Sequence, residues 1–216
     1  MSAAEALLDE LLPEFDVSDT VALAVEAPPR PTWDALLDAD LIEVGRRKPI
    51  AGGLGAIRMV PELASRLAKH EGMPPRPETL RLGEIAGSGA AAGGDWIRLE
   101  QRDGEELAVG LVGKFWRPVI EYAEVAPGDF RDFAEPGWAK TVYDLGVKPL
   151  PGERSLLTAT MRTATTDPIS RRWFRRYWTL GVGSGAHLLV SGLLELVAER
   201  ASAMAGVPSL EDGLLL

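Results

Sequence analysis

The sequence predicts an α+β fold in which an antiparallel sheet wraps a long C-terminal helix. Three observations carry that expectation. Segments with the two-residue alternation of strands recur between residues 79 and 165. Asp167-Pro168 then supplies an N-cap residue and a proline suited to the first helical turn. No further proline appears until Pro208, so one helix is expected to run to about residue 205, far beyond the usual length of about 11–12 residues. A sheet closing around such a helix is the best way to bury its apolar face. Space trapped between the two would be a cavity.

The elements follow in order. Residues 3–12 read as a short amphipathic helix that Pro13 stops. Residues 19–27 alternate, with Val21, Leu23 and Val25 on one side, and form a half-buried strand. Pro28, Pro29 and Pro31 break it, and Trp33 begins a helix that turns Trp33, Leu36 and Leu37 inward. A glycine-rich loop at 51–56 precedes a helix at 61–70. Strands are expected at 79–85, 96–101, 106–115, 119–125, 139–148 and 155–165, with a flexible loop at 87–94 and a short turn or helix at 127–133. Asp103-Gly104 predicts a type I′ hairpin turn. Ala139, Thr141, Tyr143, Leu145 and Val147 share one face of their strand. The chain divides into an N-terminal extension (1–16), one domain (17–206) and a tail (207–216).

Composition narrows the function. A hydrophobic content of 46% supports a real core. The net charge of −9 disfavours nucleic-acid binding, which needs a basic surface. No run of apolar residues is read as a membrane span, so stable membrane insertion is not expected. Residues 1–19 carry Glu5, Asp9, Glu10, Glu14 and Asp16 and no base, the reverse of a secretory signal. With no cysteine for disulfides, thiolate chemistry or metal binding, a cytoplasmic location is expected. His70 and His187 stand too far apart for a metal motif, and no cofactor is expected.

The element order is similar to that of the START/Bet v 1-like (SRPBCC, polyketide cyclase-like) superfamily. The segment Ala27-Pro28-Pro29-Arg30-Pro31-Thr32-Trp33-Asp34-Ala35-Leu36-Leu37-Asp38 resembles that family's strand–proline–helix opening with its tryptophan. Residues 133–140 and Phe174-Arg175-Arg176-Tyr177-Trp178 look like segments of uncharacterised bacterial members. The resemblance implies a helix-grip fold, a seven-stranded antiparallel sheet gripping the last helix. It also implies a cavity for lipids, sterols or polyketides, with cyclisation in some members. The 45–78 segment exceeds what a minimal member needs.

Candidate site residues come from the long helix. At roughly 100° per residue, two stripes fall inward. One holds Phe174, Trp178, Gly181, Gly185, Leu188 and Gly192, and the other Trp173, Tyr177, Leu180, Ser184, His187 and Ser191. Glycine inside a helix costs about 0.8–1 kcal/mol against alanine, so these glycines mark either close helix–sheet approach or room for a ligand. Ligand contact is expected at Tyr177, Ser184, His187, Trp173, Trp178 and Gly181, joined by Trp116 and Tyr143 from the strands. Binding ranks ahead of catalysis because no carboxylate can be placed beside His187 from sequence. Glu121 is a candidate inward acid with a shifted pKa. Arg171, Arg172, Arg175 and Arg176 oppose the dipole of their own helix. They call for acidic partners, with Asp167, Glu121, Glu124 and Glu135 as candidates, or for an anionic ligand head group or partner; the net charge of −9 disfavours a membrane surface, though a local patch could still act. The expected function is binding of a small hydrophobic, lipid- or polyketide-like molecule. The alternatives are a cyclase/aromatase-type enzyme and an interaction module without a ligand.

Overall fold

The computed structural model describes residues 3–47, 79–84 and 96–206. The loops expected at 51–56 and 87–94, the helix expected at 61–70 and the tail lie outside these residues. The described elements are α1 (Ala3–Leu11), β1 (Val17–Val25), α2 (Pro29–Leu37), α3 (Leu41–Arg47), β2 (Ile97–Arg102), β3 (Glu106–Gly113), β4 (Ala139–Leu150), β5 (Arg154–Thr165), α4 (Pro168–Tyr177) and α5 (Gly183–Met204).

Five strands form one antiparallel sheet in the order β1-β5-β4-β3-β2. Its spine is the β4–β5 hairpin, paired from Ala139↔Thr165 to Leu150↔Arg154. Side chains alternate across it as the sequence predicts. Leu107, Val109, Tyr143, Leu145, Val147, Leu157 and Ala159 pack on the inner face with α2, α3 and α5. Val112 and Val142 turn to the outer face, where Leu8 and Leu12 of the opening segment and Phe130 cover them. With both faces covered, β3 is buried along nearly its whole length. Gly110 is required there, because a Cβ at that position would stand 2.8 Å from the Phe130 ring and 2.9 Å from Leu99.

Seven strands were expected and the described residues hold five. Around residues 79–84 the Asp40 carboxylate accepts hydrogen bonds from the Leu80 and Ile42 amides at 2.9 Å, and Leu82 N donates to Ala39 O. These bonds hold the segment against the α2–α3 connection, as a single bridge and a helical turn. Over 119–125 only Tyr122 bridges, to Gly113, because the chain first turns at Lys114–Arg117 and Pro118 has no N–H to donate. The Asp103-Gly104 turn also differs. Arg102 pairs with Glu106 across a three-residue loop in which only Gly104 has positive φ (81°), which rules out the two-residue type I′ turn.

The single long helix is also corrected. A π turn at Trp178–Val182 separates α4 from α5, and Leu180 and Gly181 leave helical geometry, Gly181 at φ 102°. That conformation is strained for any residue with a Cβ, so a glycine is needed at this break. Asp167 caps α4 as expected, accepting from the Ile169 and Ser170 amides. The hydrogen bond from the Ser170 hydroxyl, with the amide bonds behind it, holds this carboxyl down at about 2.

On the outer face two carboxylates are buried side by side. Glu106 and Asp144 are each almost wholly inaccessible, and Glu106 Oε1 and Asp144 Oδ1 have no hydrogen-bond partner. Arg102 reaches Glu106 at 3.2 Å. Burial first, then the charge and hydrogen bond of Glu106, push the Asp144 carboxyl well above the ordinary range, against the smaller pull of Lys148 and Arg102. The folded state therefore holds a proton that the unfolded chain releases near pH 4. This stabilisation is complete below that pH and is lost as pH rises through the native value. Urea denaturation across pH should show wild-type stability falling on the alkaline side, whereas Asp144→Asn, a permanent donor, should flatten that fall. An unchanged slope in the variant would contradict the shared proton.

Candidate functional site

The cavity sits where α5 stands off the sheet. Leu193, Leu194, Leu196, Val197 and Ala201 of α5 bury in the inner core, beside Trp33 and Leu36 of α2. The N-terminal half of α5 makes a looser fit. There Ala186, Leu189, Val190 and Leu193 face Val109, Tyr143, Leu145 and Ala159 across a cavity of about 250 Å³. Leu41 and Val44 of α3, with Leu82 and Trp96, complete the lining. The space follows from side-chain size. Leu145 pairs with Ala159 across the sheet, and Ala186 contributes only a methyl group from the helix. The two alanines leave a gap that larger residues would close.

The lining is apolar apart from Tyr143 and Trp96, which carry its only side-chain hydrogen-bonding groups among the described residues. Their rings tilt against each other at 56°, with centroids 5.8 Å apart. Burial pushes the Tyr143 phenol up to about 12. It therefore stays a neutral hydrogen-bond donor across the physiological range.

A polar pair stands beside the cavity. Asp19 lines a separate small space of about 10 Å³ that shares the wall residues Tyr143, Ala159, Ala186 and Val190 with the main cavity. That is room for about one water. The His187 Nδ1–H donates to the Asp19 carboxylate at 2.8 Å. A carboxylate only accepts, so the bond places a proton on Nδ1. The carboxylate beside His187, which the sequence could not place, comes from β1.

The expected site residues divide accordingly. Tyr143 lines the cavity. Trp173 faces outward, and its ring lies under the Arg176 guanidinium at 5.6 Å. Tyr177 and Trp178 pack on Phe174, Trp178 stacked at 5.8 Å. Gly181 forms the helix break, and Ser184 is exposed. Trp116 is half-buried beyond the end of β3. Among the described residues none of these joins the cavity lining. The π turn explains the shift in phase. An extra residue in a helical turn advances the wheel by roughly 100°, so a stripe drawn through Phe174 does not continue along the cavity face of α5. The i, i+3, i+4, i+7 set Ala186, Leu189, Val190 and Leu193 was missed for that reason.

The other charged candidates resolve into structural pairs. Asp16, absent from the expected acidic partners, receives Arg171 at 2.6 Å and Arg175 at 3.9 Å and also accepts from Thr165. Glu121 is a surface group. The Lys114 ammonium donates to it at 2.6 Å and holds its carboxyl low, contrary to the inward acid expected. Lys140 Nζ donates to Arg131 O at 2.7 Å, and burial lowers its pKa. An open depression of about 400 Å³ runs along β2 and its turn, lined by Arg98, Leu99, Glu100, Gln101 and Asp103. It lacks the concave apolar wall of a ligand site. No group of His, Asp or Glu among the described residues has the arrangement of a metal site.

The apolar length of the last helices also corrects the sequence reading. Pro168–Met204 is long and apolar enough, by length and composition alone, to cross a membrane. Here it is interrupted at Gly181, and its second half packs into the core.

No family model and no curated protein matches the chain. Among solved structures it is similar to a conserved protein from Geobacillus kaustophilus, at 13% identity over 87% of this chain and 96% of that one, with a TM-score of 0.38. It is also similar to CalU16 from Micromonospora echinospora, at 13% identity over 88% and 87% of the two chains, with a TM-score of 0.28. A third is the Zhui aromatase/cyclase from Streptomyces sp. R1128, at 11% identity over 88% and 99%, with a TM-score of 0.31. Overlaps this shallow carry no weight in the reading of the site.

The Asp19–His187 pair is the described side-chain bond that ties the open half of α5 to the sheet edge. Both groups are part-exposed, so the pair is worth no more than about 1 kcal/mol to global stability. His187→Ala should leave the melting transition nearly unchanged while speeding amide hydrogen exchange across 183–190. Exchange that speeds equally at 193–201 would show that the tether is not local.

Proposed function

We propose that this protein binds a small apolar molecule in the cleft between α5 and the inner face of the sheet. One observation carries the reading. An apolar cavity of about 250 Å³ lies between α5 and the inner sheet face, with Ala159 and Ala186 in its wall and one part-buried tyrosine, Tyr143. Its volume falls just below the roughly 300–1,000 Å³ of drug-sized pockets, so the ligand is small or only part of it enters. Affinity would come from apolar burial at about 25 cal/mol per Å². Tyr143 would orient the molecule by donating to an acceptor on it, and lipid- or polyketide-like compounds fit that description.

A second reading rests on the Asp19–His187 pair. An imidazole oriented by a carboxylate beside the cavity has the equipment of a general base. A substrate whose reacting carbon or hydroxyl reached it would make the protein an enzyme of the cyclase or aromatase type. Loss of turnover in both Asp19→Asn and His187→Ala, with ligand affinity kept, would favour this reading.

The binding proposal is tested by filling the space. Ala186→Phe should keep the fold and weaken uptake of an apolar fluorescent probe by more than about tenfold, or 1.4 kcal/mol. Native mass spectrometry of the protein purified from its host should show a small apolar passenger that the variant lacks. Probe affinity equal to wild type in the filled variant would overturn the proposal.

A further inference from the structure

The start of the last helical pair carries a feature that does not depend on what fills the cavity. Ile169, Arg172, Trp173 and Arg176 recur at i, i+3, i+4 and i+7 of α4 and so share one face. The buried side of the same helix holds Ser170 and Phe174. Ile169 is 71% exposed, Trp173 50%, and Leu180, just past the end of α4, 85%. Ile169 and Trp173 stand four residues apart on this face, and exposed large apolar side chains so placed mark a contact surface more often than scattered single ones do.

The charges on this face point to the partner. Arg171 and Arg175 are taken up by Asp16. Arg172 and Arg176 have no carboxylate partner among the described residues, and Arg176 lies over the Trp173 ring instead. Two guanidiniums without a carboxylate partner among the described residues stand out on a chain of net charge −9. A second copy of this chain pairing through the same face would bring like charges together with no acid on the face to separate them. An anionic bilayer offers phosphate acceptors for the guanidiniums and an acyl boundary for the apolar groups. Tryptophan favours that boundary, and arginine extends its head to the water side while its stem stays in apolar surroundings.

We propose that α4 and the adjoining Leu180 form a docking surface for anionic lipid membranes. Arg172 and Arg176 contact phosphate head groups while Ile169, Trp173 and Leu180 enter the interface. The contact is peripheral, of the kind made by amphipathic helices lying in the membrane plane. It concerns the outer side of the helix and leaves α5 in the core.

Co-sedimentation of the full chain with vesicles tests this. Binding is expected to phosphatidylcholine vesicles containing phosphatidylglycerol, to be weak with phosphatidylcholine alone, and to be reversed by salt. Each basic residue near an anionic surface contributes about 1 kcal/mol, so Arg172→Gln with Arg176→Gln should weaken binding about thirty-fold. Ile169→Ser with Leu180→Ser should abolish it. All four side chains are on the surface, and thermal melts matching wild type would confirm that the variants fold. Absence of phosphatidylglycerol-dependent sedimentation, or full binding by the double arginine variant, would overturn the proposal. So would a dimer in analytical ultracentrifugation that the Ile169/Leu180 variant dissolves, which would give the face to a second copy.

Discussion

The uneven seating of α5 is the constraint on which the rest depends. Its C-terminal half is wedged between α2 and the inner sheet face by Leu193, Leu194, Leu196, Val197 and Ala201. Arg200 reinforces that end, donating to the Asp38 carbonyl at 2.9 Å and to the Glu43 carboxylate. Its N-terminal half begins at a backbone break and meets small residues, so close packing fails there. Cores are normally packed as densely as organic crystals. A gap at one end of a well-seated helix therefore needs a cause, and Ala159, Ala186 and the Gly181 break supply it.

The same arrangement explains why polar groups gather at the open end. Tyr143 is the longest side chain on its strand's inner face and spans toward the gap. Asp19, near the start of β1, lies on the same face as Val21, Leu23 and Val25 and so meets His187 of α5. The outer face follows a different logic. There the opening helix and Phe130 shield the sheet, and the buried Glu106–Asp144 pair holds a proton beside the Arg102 guanidinium. Burying two carboxylate charges costs more than Arg102 and Lys148 offset, so one of them stays neutral.

Much of this architecture was legible in the residues. The alternation at 139–147 assigned the inner face of β4, the Asp167-Pro168 pair located the start of α4, and the Pro28–Trp33 segment located α2, because each signal is local. The strand count was less legible. Pro118 and the Asp40 carboxylate divert two strand-like segments through contacts that periodicity does not encode. The site was legible in one residue, Tyr143, whose strand phase was unambiguous. The helical contributors were misplaced because a glycine in the left-handed region and a π turn re-phase the wheel, and a run such as Gly181-Val182-Gly183 reads equally well as continuous helix. Asp19 was invisible as a partner because its link to His187 spans almost the whole chain.

The most direct test of the uneven seating is methyl NMR of the alanine, valine and leucine side chains during titration with a small apolar compound such as benzene. Shifts are expected to concentrate at Ala159, Ala186, Leu189, Val190 and Leu193, with Val197 and Ala201 unmoved. Shifts spread evenly along α5, or none at the two alanines, would show that the helix is seated along its whole length and that no space exists for a ligand.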